Sequence, residues 1–224
     1  MSKLTWDQVG ERYYETGTDR GVIYPSTSGT DDTVTYGTGV AWNGLIGVTL
    51  SPSGAEITPL YANNQKYANL MSVEELGFTI EAYTYPEEFG ACIGEKTLAT
   101  GVTVGQQDHK RFGFCFRTKI GNDTEGTDHG YKIHIIYGAL ASPAEDANTT
   151  INDSPEAKTM SWECSTTPVD VGDNFRPTAS ITIDSTKVSA SALAALEAKL
   201  YGGESGSPTL PMPNEVASIV GGAA

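Results

Sequence analysis

A chain of 224 residues with 28 acidic and 14 basic side chains carries a formal net charge of −14, which excludes a grip on nucleic acid or an anionic membrane through a basic patch. Its 38% hydrophobic content and 25 glycines suffice for a sizeable core in one all-β domain or two small ones and exclude wholesale disorder. Cys92, Cys115 and Cys164 are widely spaced with no C-x-x-C pair, so a zinc site or disulfide framework is not expected and a reducing compartment is. The first residues lack the apolar core of a signal peptide, and no apolar run approaches the ~18 residues of a membrane span.

In chain order, residues 1–20 are polar except Trp6, Val9, Tyr13 and Tyr14, and are expected to form an arm that orders against something else. Residues 21–25 read as a first short strand, followed by a turn cluster at 26–32, short β pieces at 33–36 and 40–42, and a strand at 45–50. Residues 55–71 mix Leu60, Tyr61, Tyr67 and Leu70 with Asn and Gln. That segment is too polar for a core strand and too aromatic for an idle loop, and long loops in compact domains are usually functional. Ser72-Val73-Glu74-Glu75 has capping-box spacing and predicts a very short helical turn before Gly77.

Residues 78–85 alternate as a strand, 86–92 suggest a helical turn, and 96–104 are weakly β. The strongest local pattern follows. Phe112, Phe114 and Phe116 mark one face of a strand, Tyr131, Ile133, Ile135 and Tyr137 mark another, and the Gly/Asp/Asn segment 121–130 between them predicts a hairpin. Residues 141–153 read as a polar loop, 159–165 as a strand with Met160, Trp162 and Cys164 on one face, and 179–184 as the last strand with Ile181 and Ile183 inward. One amphipathic helix is expected at about 189–201, with Ser189 as cap, a Leu193/Leu196/Leu200 stripe, and Gly202 as stop. Residues 203–224, rich in Gly, Ser and Pro, read as a flexible tail. The domain is therefore residues 21–202, a mainly β chain forming a β-sandwich or open barrel with one flanking α-helix.

Patterns that carry chemistry are sparse. Gly203-Glu204-Ser205-Gly206 is one residue short of a nucleophile elbow, and His109, His129 and His134 do not share a helical metal-ligand spacing. Asp123, Glu125 and Asp128 invite a calcium loop. Aligning Gly126 with the EF-hand glycine, however, places Gly121 where the first acidic ligand belongs, so an acidic hairpin tip is the better reading. Glu74, Glu75, Glu81, Glu87 and Glu88 form an acid-only stretch, either a solvated face or a deliberate negative surface. Asn122, Asn148 and Asn152 match the glycosylation pattern and are expected to mark polar loops.

The strings Thr5-Trp6-Asp7-Gln8-Val9-Gly10-Glu11-Arg12, Gly77-Phe78-Thr79-Ile80-Glu81-Ala82-Tyr83-Thr84-Tyr85-Pro86 and Thr118-Lys119-Ile120-Gly121-Asn122-Asp123-Thr124-Glu125-Gly126 resemble the major tail tube protein of long-tailed (siphovirus-type) bacteriophages of Gram-positive hosts. Tyr137-Gly138-Ala139-Leu140-Ala141-Ser142-Pro143 and Asn152-Asp153-Ser154-Pro155 extend the resemblance across nearly all of residues 5–201. It implies a β-sandwich with a flanking helix, assembled with itself as homohexameric rings stacked into a tube. The tape measure protein fills the lumen, tail terminator and baseplate proteins close the ends, and double-stranded DNA passes through without specific binding. It further implies a virion component assembled in the bacterial cytoplasm, with no catalysis, cofactor, metal or membrane. The family's inter-subunit loop would here be residues 51–72, making Leu60, Tyr61, Asn64, Tyr67 and Leu70 the candidate contacts between subunits or rings. The alternative is a ligand- or carbohydrate-binding β-sandwich or a virion decoration protein, which would stay small at high concentration.

Overall fold

A computed structural model describes residues 3–28, 34–151, 153–154, 156–172, 175–203 and 206–222. Part of the expected turn cluster (29–32), the sequon asparagine at 152 and the elbow-like 204–205 lie outside the described residues. The strands are β1 (Tyr14–Ser28), β2 (Thr35–Tyr36), β3 (Val40–Ala41), β4 (Leu45–Gly54), β5 (Ile57–Ala62), β6 (Gln65–Met71) and β7 (Glu74–Ala82). After the single turn α1 (Glu87–Gly90) come β8 (Lys96–Ala99), β9 (Val102–Val104), β10 (Phe112–Asn122), β11 (Gly126–Ala141), β12 (Met160–Thr166) and β13 (Ser180–Asp184), then helices α2 (Ala190–Tyr201) and α3 (Pro213–Gly221).

The β10–β11 hairpin is the frame. Phe114 pairs with Ile136 and Cys115 with Ile135, so the phenylalanine face and the Ile133/Ile135/Tyr137 face are opposite faces of one ribbon. Both are buried, which makes the hairpin the middle layer of the molecule. On one side the nine-stranded sheet, ordered β2-β1-β10-β11-β12-β7-β4 with β3 added to β1 and β13 to β11, curls until Trp42 donates its backbone N–H to the Gly21 carbonyl at 2.8 Å. The curl encloses Phe112, Phe114, Phe116, Phe78, Ile80, Trp42, Phe89 and Trp162. The Trp42 ring stands 4.6 Å from Phe89 and 5.7 Å, edge on, from Phe114. On the other side α2 and α3 press Leu196, Leu200 and Val216 onto Tyr24, Cys115, Ile133, Ile135 and Tyr137. Each such side chain contributes roughly 1.5–3 kcal/mol on burial.

The 16-residue β11 serves both layers because it changes partner along its length. Lys132–Ile136 pair with β13, whereas Ala139–Ala141 pair with β12. Gly138 sits at the change with φ +60°, and a Cβ there would lie 2.3 Å from the Thr167 carbonyl oxygen. A side chain at that position would meet immovable backbone as well as a left-handed conformation.

The expected mainly β architecture, an open barrel or sandwich with helical cover, is what forms. Ser189 caps α2 by accepting the Ala192 N–H at 3.3 Å, and Gly202 ends it at φ +83°. Four expectations need correction. Residues 14–20 belong not to the arm but to the first half of β1, paired with β10 at Tyr14–Thr16 and Thr18–Asp19 with register shifts at Gly17 and after Asp19. The expected flexible tail carries α3, and Leu210, Pro211 and Val216 within it are buried. Tyr137 donates its hydroxyl to the Pro211 carbonyl at 2.8 Å, so the helical layer has two members where one was expected. Ser72–Glu75 open no helical turn, since β7 begins at Glu74. The 121–130 segment is mostly strand, with the reversal confined to Asp123-Thr124-Glu125.

Candidate assembly surfaces

Residues 51–72, expected as a loop, are the far half of a long β arm. The stem pairs β4 with β7, from Leu45 opposite Ala82 to Gly54 opposite Glu74. Gly54 and Ala55 then take φ +81° and +53°, which breaks the ladder for one step, and it resumes with Ile57 opposite Met71. The tip is Asn63-Asn64, at φ +50° and +61°. Two consecutive left-handed residues make the tight reversal that matches strand twist, and asparagine tolerates that conformation best after glycine. All five predicted contact residues fall on this ribbon: Leu60, Tyr61, Tyr67 and Leu70 on its strands and Asn64 at its tip.

The arm contributes nothing to its own core. Tyr61 is 70% and Tyr67 77% exposed, and Ile57, Leu60, Leu70, Met71 and Val73 are exposed as well. Ile57/Met71 and Pro59/Asn69 face one way while Thr58/Leu70 and Leu60/Ala68 face the other, so apolar side chains stand on both faces. Together they offer roughly 600 Å² of apolar surface, taking ~150–250 Å² for a buried aromatic and ~60–120 Å² for a buried aliphatic side chain. Monomers seldom display one apolar patch beyond about 300–600 Å². A standard interface of ~800 Å² per partner that is ~57% apolar needs only ~450 Å² of it.

At the stem the same strands form a second surface of opposite character. Register places Gly47, Thr49, Ser51 and Ser53 of β4 beside Glu81, Thr79, Gly77 and Glu75 of β7. These in turn stand beside Ser161, Glu163 and Ser165 of β12. Every outward position is Gly, Ser, Thr or Glu, while the inward positions between them hold Val48, Phe78, Ile80, Trp162 and Cys164. The face is small, polar and acidic, without a single cation. The acid-only stretch seen in the sequence is thereby divided: Glu75 and Glu81 reach this face, Glu74 sits at the base of the arm, and Glu87 and Glu88 lie in α1.

The predicted acidic hairpin tip turns out to hold the N-terminal segment. Asp123 accepts the Gly10 N–H at 2.9 Å, and the Arg12 guanidinium stands 3.7 Å from the same carboxylate. Glu125 meets His129 at 2.5 Å, and the Tyr13 ring lies 5.1 Å from the His129 ring. Asp128 is exposed, and its backbone N–H donates to the Glu125 carbonyl at 3.3 Å. Asn122, expected to mark a polar loop, instead ends β10 as the one buried polar side chain among the described residues. Its Oδ1 accepts the N–H groups of Thr124 and Glu125, the local bonding for which an Asn ahead of a turn is suited. Beyond this latch Leu4, Trp6 and Val9 are exposed.

The three histidines are engaged in local contacts. His134 stacks on Phe116 at 4.6 Å, its ring nitrogens face the Thr118 and Thr182 hydroxyls, and burial lowers its pKa. His109 sits 2.9 Å from the Ala141 carbonyl, and His129 belongs to the latch. Burial pushes the thiols of Cys92, Cys115 and Cys164 up to about 12, which leaves them protonated and inert as nucleophiles. Among the described residues no group of three or more His, Cys, Asp or Glu side chains is placed to hold a metal ion, and no helix is long and apolar enough to cross a membrane.

No family model matches the chain, and no curated protein matches it. Among solved structures it is similar to a chain in the cryo-EM structure of the anti-feeding prophage (AFP) baseplate, 6-fold symmetrised, at 10% identity and a TM-score of 0.33, over 80% of this chain and 97% of that one.

Proposed function

We propose that this chain is a structural subunit of a bacteriophage tail tube, assembling with copies of itself into stacked hexameric rings. The observation that carries the proposal is the arm, a ribbon with exposed apolar side chains on both faces in the single chain. The sequence strings that resemble the tail tube family support the same reading. A ring requires a heterologous contact whose rotation closes, and an arm on one part of a molecule that meets a different part of the next supplies one. The acidic Gly/Ser/Thr/Glu face is the surface suited to the lumen. Glu75, Glu81 and Glu163, repeated around a ring, repel phosphate, and no Lys or Arg on that face releases counterions, so a duplex slides without being held. In this reading the tape measure protein occupies the lumen first, terminator and baseplate proteins meet the two ends, and the subunit itself needs no cofactor or catalytic group.

Negative-stain electron microscopy of the purified chain tests the proposal. Rings or tubes are expected, and deleting residues 55–71 is expected to leave a folded monomer that forms neither. Tubes formed normally by the deletion variant overturn the role given to the arm. A wild-type chain that stays monomeric at high concentration favours a ligand-binding or decoration module instead.

A further inference from the structure

A second unpartnered feature lies on the helical side of the molecule. Between β13, α3 and the segment ahead of β13 runs an open groove of about 720 Å³, walled by Val171, Phe175, Ile183, Val216 and Val220. Four consecutive β13 residues, Ile181 to Asp184, border it, as happens when a strand shows its edge and not one face. Among the described residues β13 pairs with β11 on one side only, so its other edge offers backbone donors and acceptors. Phe175 is 73% exposed at the rim. A groove with an apolar floor and an open strand edge suits an extended segment with apolar side chains, which can add as a further strand while its side chains fill the groove.

We propose that this groove receives the β5–β6 arm of a second copy of the chain, with the tip tyrosines Tyr61 and Tyr67 seated against Phe175 and Val220. The proposal rests on the tube reading only in taking the occupant to be another copy. The arm has the required form: it is a two-stranded ribbon whose strands pair only with each other, so each has a free edge to offer β13. It also has the required size, since its roughly 600 Å² of apolar surface exceeds the ~450 Å² apolar share of a standard interface. The groove carries its own charged pair, Lys187 and Asp184 at 3.3 Å, and the exposed Asp170 next to Val171 is the acid left for Lys66, the cation beside Tyr67. Arm and groove are different surfaces of one molecule, so their union is heterologous and propagates from copy to copy until it closes.

The test is cross-linking between copies. Tyr67→Cys and Phe175→Cys proteins are prepared separately, mixed under conditions in which the wild type assembles, and treated with a short bis-maleimide. The native thiols are buried and protonated, so the expected product is a covalent dimer in the mixture and in neither protein alone. Ala217→Trp, which fills the groove from the exposed side of α3, is the second variant. It should melt like the wild type and need at least a tenfold higher concentration to assemble. Rings or tubes without the 67–175 dimer overturn this acceptor while leaving the tube reading intact, as does normal assembly of Ala217→Trp. A dimer from Trp6→Cys with Phe175→Cys in place of the arm pair assigns the groove to the N-terminal segment and equally overturns the proposal. Absence of any assembly by the wild type overturns the tube reading itself.

Discussion

Truncating Tyr67 to alanine separates assembly from folding. The side chain is 77% exposed in the single chain, so ~115–190 Å² of a tyrosine's ~150–250 Å² is available to a partner. At ~25 cal/mol/Å² that is a gross ~3–5 kcal/mol. Allowing for what alanine retains and for ordering the side chain on docking, about 2–3 kcal/mol should be lost per contact. A factor of ten corresponds to 1.4 kcal/mol, so the critical concentration for assembly should rise roughly 30- to 140-fold. Monomer stability should scarcely change, because an exposed substitution away from a cap or core usually stays within ±0.5 kcal/mol. Sedimentation of assembled against free protein across a dilution series gives the first quantity, and urea unfolding of the dilute monomer the second. A critical concentration shifted less than threefold, or a monomer destabilised by the same 2–3 kcal/mol, refutes the view that Tyr67 is reserved for a partner.

Two further outcomes follow from the interior. Removing residues 203–224 strips Leu210 and Val216 from the helical layer and takes the Pro211 carbonyl from the buried Tyr137 hydroxyl. The expected loss is about 5 kcal/mol in urea unfolding, where a truly free tail would cost nothing. Asp19 receives a bidentate pair of hydrogen bonds from Arg117 at 2.7 and 2.8 Å, and that bonding holds its carboxyl below the ordinary range. A folded-state pKa below the unfolded one stabilises the fold above the unfolded value near ~3.9 and ceases to do so as pH falls through the folded value. Asp19→Asn should therefore flatten the acid limb of urea midpoint against pH below about pH 4, and an unchanged limb contradicts the assignment.

Much of this architecture was legible because burial writes its period into the sequence. Phe112, Phe114 and Phe116, Met160, Trp162 and Cys164, and the Leu196/Leu200 stripe sit where their spacing put them. What was not legible lacked that signature. Residues 14–20 pair with β10 yet face solvent over most of their length, so neighbouring backbone fixes that half-strand and no apolar alternation announces it. Residues 203–224 have linker-like Gly, Ser and Pro content, and α3 forms because α2 leaves an apolar surface for Val216 and Leu210 to cover, a tertiary cause invisible to local composition. The arm was marked as functional by its tyrosines, but its hairpin form was hidden. The register shifts between Leu60 and Tyr61, and Asn63-Asn64 lacks the glycine that usually marks a two-residue turn. The acidic face could not be read at all before register was known, since Glu163 of β12 joins Glu75 and Glu81 of β7 only when the two strands are laid side by side.

The arm and the acidic face would pull in opposite directions in a ring, and magnitudes decide between them. Two carboxylates ~20 Å apart across water repel by ~0.2 kcal/mol before screening. With a Debye length of about 8 Å at physiological salt this falls to ~0.02 kcal/mol, so even dozens of such pairs cost less than ~1 kcal/mol. Burying the arm returns a gross ~15 kcal/mol per subunit from roughly 600 Å² at ~25 cal/mol/Å², set against ~4–15 kcal/mol for lost freedom on association. Association entropy, not charge repulsion, is therefore what the arm must overcome. A negative lining can be kept at almost no cost to assembly because its acids stand on the stem, Glu75 and Glu81 on β7 and Glu163 on β12, outside the β5–β6 ribbon that makes the contact.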